Sequence, residues 1–179
     1  MKYDLGYITK YILEYDCGVP KSVVVGLFVI VCTIIVLLYH YNTDGTKFLR
    51  NTSWCILGGY LFFIFCATVL FRDQAEGIRY SLRPFLTYAN LYNRRIAEVV
   101  LNVLMFVPIG FLNGSAIRNM TILKVMGIGC LLSFTIEILQ LLTMRGVFNV
   151  DDIIHNTLGC VIGYGVFQLC NSILIACTK

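Results

Sequence analysis

IAEVVLNVLMFVPIGFLN, residues 96–113, is the stretch from which the fold is read. Glu98 is its only charged residue. At about 1.5 Å of rise per residue, a helix over these positions crosses most of the roughly 30 Å of hydrocarbon in a bilayer. Working outward, comparable apolar runs occur at Ser22 to Tyr41, about Ser53 to Phe71, about Ile122 to Thr143 and about Ile153 to Cys177. The pattern predicts an all-α integral membrane protein, a bundle of about five transmembrane helices. Ahead of them, Leu5, Ile8, Ile12 and Tyr15 share one stripe while Lys2, Asp4, Thr9, Glu14 and Asp16 lie elsewhere. That spacing predicts an N-terminal interfacial amphipathic helix over residues 2–16. Composition agrees: 58% of the 179 residues are hydrophobic, 13% are charged and mean hydropathy is +0.79. Ordinary soluble domains are roughly 45–50% apolar and 25% charged, so a soluble globular protein is excluded.

The net charge of +4 is small and no run of Lys and Arg forms a stripe, so nucleic acid is not an expected partner. Cys32, Cys55, Cys66, Cys130, Cys160, Cys170 and Cys177 lie in or at the edges of apolar runs, which reads them as small packing residues rather than a disulfide framework. There is no CxxC pair, and His40 and His155 are far apart, so neither a metal nor a cofactor is expected. Residues 1–20 contain three acids and no apolar core, and are not expected to be a secretory signal.

Polar residues inside the last three spans carry more information, because each must find a partner or water in hydrocarbon. Glu98, Asn102, Phe106, Ile109 and Asn113 follow helical spacing; so do Ser133, Glu137 and Gln140, and again Asp152, Asn156, Gly159 and Gly163. Each polar stripe therefore lies on one helix face. Asn102, Glu137 and Asn156 fall roughly 5–10 Å below the same membrane surface if the spans alternate in direction. Pro108 and Gly110 let the third span bend, while Gly159 and Gly163 let a neighbouring helix approach closely. The loop 72–95 on that same side holds Arg72, Arg79, Arg83, Arg94 and Arg95 among aromatic residues. It is either an interfacial belt or an anion-recognition element, since a guanidinium pairs with phosphate or carboxylate at two points. A single Asn or Gln reads best as a register-setting contact. Taken together, the residues predict a pocket with Glu137 and Asp152 as candidate acid/base groups. Arg83, Asn102, Gln140, Arg145, Asp151 and Asn156 are its candidate ligand-binding groups.

In order along the chain come Leu82-Arg83-Pro84-Phe85, Asn102-x5-Pro108-x-Gly110, Glu137-x2-Gln140, Arg145-Gly146 and Asp152-x3-Asn156-x2-Gly159. These pieces resemble the VanZ-like family of small bacterial membrane proteins over roughly residues 58 to 168. The family typically has Asn-Leu-x-Pro-Phe where this chain has Ser81-Leu82-Arg83-Pro84-Phe85. The resemblance implies a four-span domain at 53–179, preceded by an interfacial segment at 1–21 and an additional helix and loop at 22–52. It also implies a bacterial plasma membrane location and a link to teicoplanin, a glycopeptide antibiotic.

Three functions are open at this point. A cell-envelope protein would bind or remodel an anionic envelope lipid, a lipid-linked envelope precursor or the lipoglycopeptide itself. An intramembrane enzyme would use Glu137 or Asp152 as general base, with His155 in helical reach of Asp151 and Asp152. A small transporter or carrier would exploit the bend at Pro108 and Gly110, with oligomerisation through the Gly159 and Gly163 face. Membrane lipids are expected partners in each case, and a homo-oligomer is open. Counted plainly, Lys and Arg place the pocket in the cytoplasm; with Arg72, Arg83 and Arg145 set aside as pocket residues the bias vanishes. The glycopeptide link then implies a pocket on the extracytoplasmic side.

Overall fold

The computed structural model describes residues 45–72, 74, 77, 79–82, 84 and 93–177. The expected surface helix at 2–16 and the expected span at Ser22 to Tyr41 lie outside the described residues. Within them, four helices are long and apolar enough to cross a membrane, at Lys47–Leu70, Ile96–Ala116, Ile122–Leu142 and Val150–Ile173. Helix α1, Gly45–Phe65, runs on into one π-helical turn, Cys66–Leu70. Helices α2, α3 and α4 cover Asn93–Ala116, Ile122–Leu142 and Val150–Cys177. Two short strands, β1 at Tyr80–Ser81 and β2 at Phe148–Asn149, pair in parallel between them.

The helices match the four later runs of the sequence, with one marked difference in their ends. α1 starts at Gly45 rather than near Ser53, so the expected boundary between residues 52 and 53 falls inside a helix. Hydropathy reads Thr46, Lys47, Arg50 and Asn51 as loop. A helix satisfies its own backbone, however, and so continues out of the hydrocarbon into the headgroup layer. Similarly α4 starts at Val150, which places Asp151 and Asp152 in its first turn, where the positive end of the helix dipole favours acids.

Backbone contact joins α2 to α4. A Cβ on Gly110 would meet the Cys160 carbonyl oxygen at 1.9 Å, one on Gly159 the Val103 oxygen at 2.2 Å, and one on Gly163 the Val107 oxygen at 1.9 Å. Without a hydrophobic driving force between helices in lipid, this close approach is a main source of attraction. The Gly159 and Gly163 face, open as an oligomer contact on sequence alone, is thus filled by α2 of the same chain. Pro108 lies inside α2 and leaves one carbonyl of the preceding turn without its usual donor, but the helix continues. Phe106, Ile109, Val125 and Cys160 fill the core, and Leu104, Leu123, Leu131 and Leu142 point outward where acyl chains would cover them.

Candidate functional site

The C-terminal ends of α1 and α3 meet the N-terminal ends of α2 and α4 at one mouth of the bundle. Asn149 is the hinge of that mouth. Standing just before α4, it accepts a hydrogen bond from the Asp151 N–H on its Oδ1 at 3.2 Å and donates from Nδ2 to Asp152 Oδ1 at 2.9 Å. The first N–H groups of a helix have no partner in the ladder, and Asn at this position supplies one. In a reciprocal capping box the third-position acid also takes the cap's backbone N–H. Here that N–H donates instead to Glu137 Oε2 of α3, at 2.8 Å. Glu137 is 2% exposed, so a carboxylate within an apolar span is held against the positive end of α4. The strand pair lays the preceding loop beside this cap, with Ser81 opposite Asn149 and the Phe148 N–H donating to Arg79 O at 3.1 Å.

Other charges converge on the same place. Arg72 is the cation that acts on both Glu137 and Asp152, and Glu98 of α2 acts on Asp152. One turn into α4, Asp151 and His155 are both buried, and the Asp151 charge acts on the imidazole. Among the described residues no three His, Cys, Asp or Glu side chains gather as metal ligands would.

Gln140 and Arg145 do a different job. Gln140 Nε2 donates to Thr68 O at 3.0 Å, and Arg145 Nη1 donates to Leu70 O and, at 3.4 Å, to Arg72 O. The last carbonyls of a helix lack internal donors, and a cation there also complements the dipole. These two residues therefore close the end of α1, with the Arg145 N–H folded back on Gln140 O at 2.9 Å.

Below the carboxylates, Asn156 Nδ2 donates to Ser133 Oγ at 2.8 Å, and both residues are buried. Asn156 Oδ1 has no hydrogen-bond partner among the described residues. A buried carbonyl left bare costs about 1–3 kcal/mol, so it is an acceptor open to water or to a ligand donor. Asn102 is half-buried on α2 and makes no hydrogen bond among the described residues. Arg83 lies outside the described residues. The structure thus brings Glu137, Asp151, Asp152 and Asn156 to one end of α4, with Gln140 and Arg145 beside them as braces. Asn149 was not among the expected site residues, although Asn149-x2-Asp152 at the head of an apolar run is a readable capping signal. Arg72 entered the sequence reading only among the arginines set aside as pocket residues, and Glu98 stood on the α2 stripe without being singled out.

A family model described as VanZ/LLP1 matches residues 25–171. The chain belongs to the VanZ/LLP1 family. Over 91 residues it is 30% identical to Protein VanZ of Enterococcus faecium, a stretch that is 51% of this chain and 53% of that protein. The chain thus aligns with about half the length of this curated relative. No solved structure matches it significantly. The VanZ/LLP1 match starts inside the expected span at Ser22 to Tyr41. It also takes in every residue of the cluster from Arg72 to Asn156.

Proposed function

We propose that this VanZ/LLP1 membrane protein binds or remodels a hydrogen-bond-donating group of the bacterial cell envelope at the carboxylate mouth, and so lowers sensitivity to teicoplanin. The group belongs to an envelope lipid, a lipid-linked precursor or the lipid-anchored drug. The observation that carries the reading is the acceptor set of α4 and α3: Glu137 and Asp152 at the surface end, and Asn156 Oδ1, unpartnered among the described residues, beneath them. Carboxylates and an amide oxygen suit hydroxyl, amide or ammonium donors rather than an anion. Recognition of an anionic headgroup would fall to Arg83, since the charge of Arg72 acts on carboxylates and Arg145 closes α1.

The mouth faces outward in this reading. Arg72 and Arg145 have internal partners and so do not report orientation, which supports setting them aside from the positive-inside count. In a glycopeptide-sensitive Gram-positive host, the wild type should protect against teicoplanin more than against vancomycin. Asp152→Asn at the same membrane level should remove that protection. No protection by wild type would overturn the resistance reading.

The buried Asp151 and His155 favour a second reading, an intramembrane hydrolase or transferase. A carboxylate beside an imidazole orients it and stabilises its protonated form, and Glu137 or Asp152 would serve as further acid/base groups. Purified protein would then convert a mass-tagged envelope lipid, with His155→Gln inactive; retained binding without conversion returns the argument to the first reading.

A further inference from the structure

The opposite mouth of the bundle holds a cavity of about 370 Å³ that the carboxylate cluster does not touch. Arg50 of α1, Ser115 of α2, Arg118 of the turn to α3, and Tyr164, Gln168 and Asn171 of α4 line it. Neither Arg50 nor Arg118 has a hydrogen-bond or ion-pair partner among the described residues. The described residues of this mouth, 45–54, 113–126 and 164–177, include no Asp or Glu, whereas Lys47 and Lys124 add positive charge.

The cavity is a built feature. The Tyr164 hydroxyl donates to Met120 O at 2.7 Å, and Gln168 Nε2 donates to the same hydroxyl, which ties α4 to the turn after α2. Ser53 and Ser115 share a 2.7 Å hydrogen bond that ties α1 to α2. Asn119, at φ 56°, takes the left-handed conformation that Asn tolerates and so fixes the turn presenting Arg118. Its depth is marked by Trp54, one turn after Arg50 and 48% exposed, as interfacial tryptophans are. Leu49, Ile122 and Leu123 around it are exposed to the acyl region.

We propose that this cavity binds the phosphate of an anionic membrane lipid, with Arg50 and Arg118 pairing the phosphate oxygens and Gln168 and Asn171 donating to them. Two guanidinium groups with no partner among the described residues, in a polar cavity at headgroup depth, match a phosphodiester in charge and in geometry. A neutral zwitterionic headgroup carries its own cation into that positive field and binds less well.

The chain's one tryptophan makes the test direct, because quenching of Trp54 reads lipid at this mouth. The full chain is reconstituted in phosphatidylcholine vesicles containing either dibrominated phosphatidylglycerol or dibrominated phosphatidylcholine. Wild type should show quenching by the anionic lipid well above its mole fraction, with a preference of about five-fold per arginine. Arg50→Gln with Arg118→Gln should bring it to the level of the zwitterionic lipid, while Lys47→Gln, on the same surface but outside the cavity, should keep most of it. Equal quenching by the two lipids in wild type, or an equal loss in Lys47→Gln, would overturn the site. Abolition of the preference by millimolar inorganic phosphate at constant ionic strength would overturn the lipid assignment in favour of a soluble phosphate. If the double variant does not fold, Arg118→Gln alone, matched to wild type by thermal melt, carries the same comparison.

Discussion

At one mouth of the bundle Glu137, Asp152 and the Asp151 N–H are hydrogen-bonded around Asn149, with the charges of Arg72 and Glu98 acting on the carboxylates; at the other, Arg50 and Arg118 line an open cavity with no acid among the described residues. The difference follows from which helix ends meet. The acids gather at the N-terminus of α4, where N–H groups and the dipole favour negative charge deep in the bundle. The bases stand near the start of α1 and in a connecting turn, where their long side chains reach the headgroup layer. One mouth is therefore ordered before any ligand arrives, and the other offers unengaged charge.

The comparison breaks most completely at the seam both mouths share. Gly110→Ala or Gly163→Ala drives a Cβ into a backbone carbonyl and should cost about 3 kcal/mol or more, whereas Gly165→Ala, with nothing within 4 Å, should be neutral. Size-exclusion profiles of detergent-extracted protein separate these outcomes. Glu137→Ala strands the Asn149 N–H and should cost about 1–3 kcal/mol, while Glu137→Gln retains an acceptor and should melt closer to wild type. Asn149→Ala removes the cap of α4 and should cost about 0.5–2 kcal/mol, visible as faster amide exchange over residues 150–153. Smallest is Arg145→Ala, about 0.3–1 kcal/mol, with exchange rising at the end of α1 rather than at α4. An equal rise at α4 would merge the brace and the cap into one unit.

Much of this was legible in the sequence. The four later spans follow from length and hydropathy, and the close approach of Gly159 and Gly163 follows from a bare stripe at helical spacing. The direction of Glu137 and Asp152 was legible for the same reason. Their partners were not: periodicity says which way a side chain points but not which backbone groups across a turn need a donor or acceptor. Gln140 and Arg145 look like ligand groups in a list of polar residues, yet orphan carbonyls at the end of α1 take their donors. The basic cavity was invisible because Arg50, on α1, and Arg118, in the turn before α3, are each ordinary by themselves, and only the fold brings them together.

Glu137 tests the central claim most directly, because its carboxylate both braces α4 and is the proposed binding group. Teicoplanin susceptibility of a sensitive host expressing wild type or Glu137→Gln, at matched membrane level and melting temperature, separates the two roles. The account predicts a folded variant that no longer protects. Full protection by a folded Glu137→Gln would show that the carboxylate is a brace alone, and would contradict the proposed site.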